Sequence, residues 1–254
     1  MHDNVSAAAE EELRRPVSEL AWSSLGAGLT IGFSFLAAAY LAMLVPDQYH
    51  GAAVAAGYPL GFIFVVLARA QLFTENTLEP VIPLLNERDL ATFGNVMRLW
   101  AIVLAGNLVG ALVLALVLAY TPLFADPLRS ELVVVATDGT TGGFASVAYR
   151  GVFAGWLVAL MAWLVASTRA TGAQIVLVWL TTAPIAAFGF RHSIAGSVEA
   201  FFRAAAGYAT WGSMVGEFIV PAILGNVVGG VVLVALLNHG QVGEHRGRWG
   251  YPPP

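Results

Sequence analysis

Ala105-Gly106-Asn107-Leu108-Val109-Gly110-Ala111-Leu112-Val113-Leu114 returns, lightly altered, as Leu224-Gly225-Asn226-Val227-Val228-Gly229-Gly230-Val231-Val232-Leu233. The two asparagines stand 119 positions apart (226 − 107), close to half of the 254-residue chain. The same offset carries Leu72-Phe73-Thr74-Glu75-Asn76 onto Arg191-His192-Ser193-Ile194-Ala195. Both segments are polar interruptions inside long apolar runs. Paired interruptions at matching positions of two halves mark a transporter or channel built from a repeat, with its pathway where the breaks meet.

The composition agrees. The chain is 58% hydrophobic and 11% charged, against about 25% charged in an ordinary soluble domain, so it reads as an all-α integral membrane protein. Uninterrupted apolar runs near 22–45, 99–120, 147–168 and 217–238 are each long enough to cross a core of about 30 Å. Two further runs, 52–85 and 173–204, are long enough but broken. Six transmembrane helices result, three per half. Three is odd, so the second half must enter from the opposite side: the expectation is two inverted repeats, about 22–121 and 147–238, with helices 2 and 5 broken.

Residues 1–21 carry Asp3, Glu10, Glu11, Glu12 and Glu19. They read as a cytoplasmic amphipathic segment ending near Pro16 rather than as a signal peptide. The distribution of arginines places both termini inside, with the polar tail 239–254 cytoplasmic and 121–146 an outer loop. The sequence has no cysteine and therefore no disulfide framework. It lacks an HExxH, GxSxG or nucleotide-binding loop, and nothing in it asks for a cofactor, metal or nucleic acid. A membrane enzyme or sensor is the least favoured class.

Five spans carry glycines four residues apart: Gly28/Gly32, Gly57/Gly61, Gly106/Gly110, Gly151/Gly155 and Gly225/Gly229. Helices associate in lipid mainly through small residues that let backbones approach, so a tight bundle is expected, with Asn107 and Asn226 bonding across it or satisfying broken backbone. Ionisable groups at membrane depth are costly and functional by default. Those near the breaks are Arg69, Glu75, Glu79, Arg191, His192, Glu199 and Arg203. Glu–Arg pairing that ties the two breaks together is the plain structural reading. His192 differs, because imidazole changes charge near neutral pH. His2, His50, His239 and His245 receive no role.

At these residues the chain resembles the formate/nitrite transporter family, from about 20 to 240. Leu72-Phe73-Thr74 resembles the loop that interrupts that family's second helix, and Arg98-Leu99-Trp100 through Gly106-Asn107-Leu108-Val109-Gly110 its third helix. Arg150-Gly151-Val152 with Trp156-Leu157-Val158 is similar to its fourth. Gly189-Phe190, His192-Ser193 and Ala195 resemble the Gly-Phe-Glu-His-Ser-x-Ala motif of the broken fifth, and Gly225-Asn226 with Gly229-Gly230 the sixth. The resemblance implies aquaporin-like six-helix protomers in a homopentamer in the lipid bilayer of the inner membrane. Each protomer would pass a small monovalent weak-acid anion. It also implies a central histidine at His192, a loop threonine at Thr74, and apolar constrictions at Leu72, Phe73 and Phe190.

The chain departs from the pattern in ways that mark a divergent branch: Arg191 where the family has Glu, Arg69 and Gln71 before Leu-Phe-Thr, Glu75 after it, and Gly155 in place of Asn. The expected pathway set is His192, Thr74, Arg191, Phe73, Leu72, Phe190, Ser193, Glu75, Asn107 and Asn226. The expected mechanism is a proton loan: arginine and half-helix ends draw an anion in, His192 lends a proton, and the neutral acid crosses the constriction. The alternative is a channel for a small neutral or cationic solute (water, ammonia, a small amide), with Glu75, Glu79 and Glu199 dominating the path.

Overall fold

In a computed structural model that describes residues 12–78, 80–81, 83–84 and 89–236, the protein is a bundle of helices, with no strand among the described residues. The helices are α1 (Val17–Thr30), α2 (Phe33–Met43), α3 (His50–Gly57), α4 (Pro59–Leu67), α5 (Leu90–Tyr120), α6 (Asp126–Thr140), α7 (Phe144–Val165), α8 (Thr171–Ala187), α9 (Ser193–Ala205) and α10 (Val220–Val228). π-helical turns Met214–Ile219 and Gly229–Leu236 flank α10. Five rods are long and apolar enough to cross a membrane: Val17–Met43, Asp47–Leu67, Leu90–Tyr120, Phe144–Val165 and Trp211–Val232. α8 is the shorter, broken one. The tail 239–254, Glu79, Arg88, His2, His239 and His245 lie outside the described residues, as does most of the N-terminal segment.

The glycines fulfil their expected part. α1 packs on α5, and α7 on α10. A Cβ on Gly28 would overlap the Asn107 carbonyl, and one on Gly155 would overlap the Asn226 carbonyl. A Cβ on Gly110 would meet the Leu25 carbonyl, and one on Gly229 the Val152 carbonyl. The pairs repeat: 127 positions separate 28 from 155 and 25 from 152, while 119 separate 107 from 226 and 110 from 229. The same backbone-to-backbone crossing is therefore built twice.

Three expectations need correction. The connection 121–146 is not a loop. Its centre is α6, opened by Asp126 with Pro127 at the first turn, where proline's fixed φ suits a helix start. α6 buries Leu132, Val135, Ala136 and Thr140 against α2 and α9. Pro and Gly at its ends hid an amphipathic stretch. The first span begins earlier than 22, because the segment before it is tied into the bundle. Leu13 is buried, the Arg98 guanidinium donates to the carbonyls of Leu13 (2.8 Å) and Arg15 (3.2 Å), and Gln71 Nε2 donates to Glu12 Oε2 (2.8 Å). α1 accordingly starts at Val17, ahead of 22. Finally, the breaks match at an offset of 120, not 119, as their hydrogen bonds show.

α5 begins with a side-chain cap. The Asp89 carboxylate accepts from the amides of Ala91 (2.8 Å) and Thr92 (2.9 Å) and from the Thr92 hydroxyl (2.8 Å). The Thr92 bonds, favouring the charged form, hold this carboxyl below the usual carboxylate range.

Candidate functional site: two helix breaks and a cavity

α4 and α8 end in the same way. The amides of Ala68, Arg69 and Ala70 bond the carbonyls of Phe64, Val66 and Val65; those of Phe188, Gly189 and Phe190 bond Pro184, Ala186 and Ile185, each 120 positions on. The 6→1 and 5→2 bonds make each end a Schellman motif, which needs a left-handed residue at its turn. Gly189 has φ 64° and Arg69 has φ 51°. The second half uses the residue suited to that conformation; the first half uses arginine and carries the strain.

Each unwound segment is then clamped by an asparagine. Asn107 Oδ1 accepts from the Phe73 amide (2.8 Å), while Nδ2 donates to the carbonyls of Gln71 (2.9 Å) and Ser24 (2.7 Å). Asn226 Oδ1 accepts from the Ser193 amide (2.7 Å), and Nδ2 donates to the carbonyls of Arg191 (2.9 Å) and Gly151 (2.9 Å). Unwound backbone inside a membrane must be satisfied by protein or water, and both asparagines, wholly buried, do so through two bonds each, the third tying the break to a neighbouring helix, α1 at Ser24 or α7 at Gly151. The helix restarts at Asn76 N–H to Leu72 O (3.2 Å) in one half and at Gly196 N–H to His192 O (3.0 Å) in the other. Leu72, not Phe73, is thus the counterpart of His192, and Gln71 that of Arg191.

One contact joins the breaks: Thr74 Oγ1 and His192 Nε2 stand 2.8 Å apart, both buried. His192 Nδ1 accepts from the Ala195 amide (3.1 Å) as the cap of α9. An accepting Nδ1 carries no proton, so the neutral ring holds its proton on Nε2 and donates it to Thr74. Phe62 meets the imidazole edge-on at 4.9 Å.

His192, Arg191 and Phe190 line a cavity of about 250 Å³. Phe190 stacks on Phe153 at its wall (5.1 Å, 17°). Thr74, Ser193, Asn107 and Asn226 stand behind this lining as supports. Leu72 and Phe73 are buried and Glu75 half-buried, and none of the three forms part of the wall. The expected pairing of Arg191 with an acid is not found among the described residues. Arg191 Nη2 donates to the Thr141 carbonyl (2.9 Å) and Nε is buried without a partner.

The wall also holds groups that the sequence did not single out. Arg150 Nη1 donates to the Gly189 carbonyl (3.3 Å), so a second guanidinium overlooks the cavity. Tyr58 is in the wall, and His50 Nε2 meets Glu131 Oε1 at 2.6 Å beside it. Glu199, which the sequence did offer as a pathway acid, lies seven residues beyond His192 on the same face of α9, is 5% exposed, lines the same space and takes no hydrogen bond from a described residue. No group of three or more His, Cys, Asp or Glu suited to a metal occurs among the described residues. The arrangement brings guanidiniums, carboxyls and an imidazole into one wall.

Comparison with known proteins yields three findings. The family model for the formate/nitrite transporter matches residues 1–240. The inner membrane protein YfdC of Escherichia coli (strain K12) is 33% identical over 245 residues, covering 95% of this chain and 78% of that protein. Among solved structures, an FNT family ion channel superposes with a TM-score of 0.80 at 21% identity over 95% of this chain and 99% of its own. A pentameric formate channel with formate bound superposes at 0.73 and 22% identity over 93% and 98%.

Proposed function

The chain belongs to the formate/nitrite transporter family, and from that premise we propose that it is a proton-coupled pathway for small monovalent weak-acid anions such as formate and nitrite. The observation that carries this reading is the Thr74–His192 bond at the floor of a cavity overlooked by Arg150 and Arg191. The two guanidiniums raise the anion concentration at the mouth. Below them Phe62 and buried Leu72 and Phe73 oppose a bare charge. His192 lends a proton so that the neutral acid passes. The loan has a defined route: Nε2 is committed to Thr74, so a second proton enters at Nδ1 and displaces the Ala195 cap bond, a loss of about 0.5–2 kcal/mol. The imidazolium is therefore short-lived, which suits a carrier of protons rather than a store.

In this reading the two halves are inverted, both termini face the cytoplasm, and five copies assemble in the bilayer, each with its own pore; the name of the pentameric formate channel gives the same number of copies for that protein. The test is formate-driven acidification of proteoliposomes. Wild-type protein acidifies the lumen, and His192→Phe loses at least tenfold of that rate with the oligomer intact. Undiminished pH-dependent flux in His192→Phe overturns the proton loan. A second reading, a path for a neutral or cationic solute such as ammonia, draws support from Glu199 in the cavity wall. Ammonia flux exceeding formate flux in the same liposomes would favour it.

A further inference from the structure

His50 and Glu131 stand apart from both helix breaks. They lie 81 residues apart in the chain, on α3 and α6, and meet with His50 Nε2 2.6 Å from Glu131 Oε1. Bonds between nitrogen and oxygen are usually about 2.9–3.0 Å long, and those to charged groups are the short ones. A carboxylate only accepts, so the neutral ring holds its proton on Nε2 and leaves Nδ1 as an open acceptor. Among the described residues the ring's one hydrogen bond is the bond to Glu131. The two side chains are 27% and 18% exposed, so water reaches both. His50 also lines the cavity that holds His192.

No other group on the surrounding elements bonds the ring. α2 and α8, which pack on α3, carry one titratable residue between them, Tyr40, and it is exposed. Asp47 and Tyr49 on the preceding turn are exposed as well. On α6, Asp126 is exposed and Arg129 donates to the Ala119 carbonyl (2.9 Å). Asp138, Tyr58, Arg150, Arg191 and Glu199 face His50 only across the cavity they share.

We infer that His50 and Glu131 form a proton-collecting pair that recharges His192. The inference rests on the proton loan and names where the lent proton comes from. An imidazole gains and loses a proton near neutral pH. A proton from bulk water enters at Nδ1 and gives an imidazolium whose Nε2–H stays on the Glu131 carboxylate. The Nδ1 proton then leaves to cavity water and passes to His192, which gives it to the anion. One proton has entered and one has left, and the neutral ring is restored with its Nε2–H unmoved. The cavity of about 250 Å³ has room for several waters at ~30 Å³ each, so the two imidazoles need not touch. Free protons are scarce at neutral pH and plentiful in acid, so a collector matters in the first condition and not in the second.

The test is formate-driven acidification of proteoliposomes holding the full chain, at external pH values from neutral down into acid. His50→Gln keeps an N–H for Glu131 but takes up no proton. It should run roughly tenfold below wild type at pH 7, a modest share of what proton-transferring groups contribute. It should come within about twofold of wild type near pH 5, where bulk protons load His192 directly. Glu131→Gln, which keeps the contact without the charge, should lose flux with the same pH dependence, and it carries the test if His50→Gln fails to assemble. The double variant should be no slower than the slower single one, because the two residues act as a unit. A merely structural bond would slow flux by the same factor at every pH, so a pH-independent loss overturns the inference. Wild-type flux in the variants at every pH overturns it too, and a double loss equal to the product of the single losses overturns the pairing. With wild-type flux present and His192→Phe inactive, these results sink this inference alone. Wild-type liposomes that formate does not acidify sink the formate reading, and the pair with it.

Discussion

The first break and the second have one backbone and two chemistries. Helix end, left-handed turn and restart recur bond for bond at an offset of 120, and each break is held by the same asparagine clamp, the two asparagines standing 119 apart. The side chains hung on that frame do not. In the first break Gln71 is consumed on both sides, accepting from Asn76 Nδ2 (2.8 Å) and donating to Glu12, while Trp100 Nε1 donates to the Asn76 carbonyl (2.8 Å). In the second, the matching Arg191 is left with a free Nε and opens on the cavity. Leu72 stands where His192 does, Asn76 where Gly196 does. The shared backbone sets where the chain unwinds, and the side chains close one break with its own polar groups and turn the other towards the cavity.

The largest effect should come from the clamps. Asn107→Leu and Asn226→Leu each strip three bonds from buried backbone; an unmet buried polar group costs about 1–3 kcal/mol, so each variant should lose roughly 3–5 kcal/mol or fail to assemble. Thermal unfolding in detergent measures both. Losses that differ by more than about twofold would break the claim that the two clamps are equivalent.

The turns should respond with opposite signs. Gly189→Ala places a Cβ at φ 64° and close to the Arg150 guanidinium, and should destabilise by about 1 kcal/mol or more. Arg69→Gly relieves the same conformation and should stabilise by up to about 1 kcal/mol, offset by the entropy glycine adds to the unfolded chain. The sign of each melting shift is the readout, and two shifts of the same sign would refute the matched turns.

A smaller difference separates the starts of the third and sixth spans. Asp89 caps α5 with a carboxylate, whereas Thr210 caps the Trp211 turn with a hydroxyl, Oγ1 accepting from the Ser213 amide (3.1 Å). Because the Asp89 carboxyl is held below its ordinary value in the folded protein, its contribution is present above that ordinary value and is lost as pH falls through the lowered one. Asp89→Ala should therefore lower the melting temperature at pH 7 and converge with wild type in acid. Thr210→Ala should lower it by the same small amount at both. Melting curves taken at pH 7 and in steps down through the acid range decide this: the gap between Asp89→Ala and wild type should narrow as pH falls below the ordinary carboxylate value, and that of Thr210→Ala should not.

Much of this architecture was legible in sequence, for reasons that differ by region. Gly106-Asn107 and Gly225-Asn226 announced the repeat because close crossing and backbone capture can be performed by few residues, so both halves kept them. The apolar runs announced spans. The end of α4 was legible from the polar cluster that starts at Arg69, although Arg69 itself occupies the left-handed position where a glycine would mark a helix stop. α6 was masked by its terminal Pro and Gly. The offset of 120 at the breaks leaves no local sign, since 119 aligns the asparagines equally well. His192, Thr74 and Arg191 were recognisable from type and motif. Arg150, Tyr58 and the empty-handed state of Glu199 were not, because they depend on which side chains α3, α6 and α7 bring to one wall, and no local pattern records that.

The bond between Thr74 and His192 also imposes an order on the making of the protein. Its partners lie 118 residues apart, and at roughly 5–20 residues per second of synthesis Thr74 waits about 6–24 s for the imidazole. Each clamp arrives sooner: Asn107 follows Phe73 by 34 residues, and Asn226 follows Ser193 by 33. The first break is therefore secured by its own half while the second is still unmade, and the second is clamped only when Asn226 emerges, after His192 is already within reach of Thr74. The second break is thus the last part of the frame to be fixed, and until then the contact between the halves hangs on a segment that nothing yet holds.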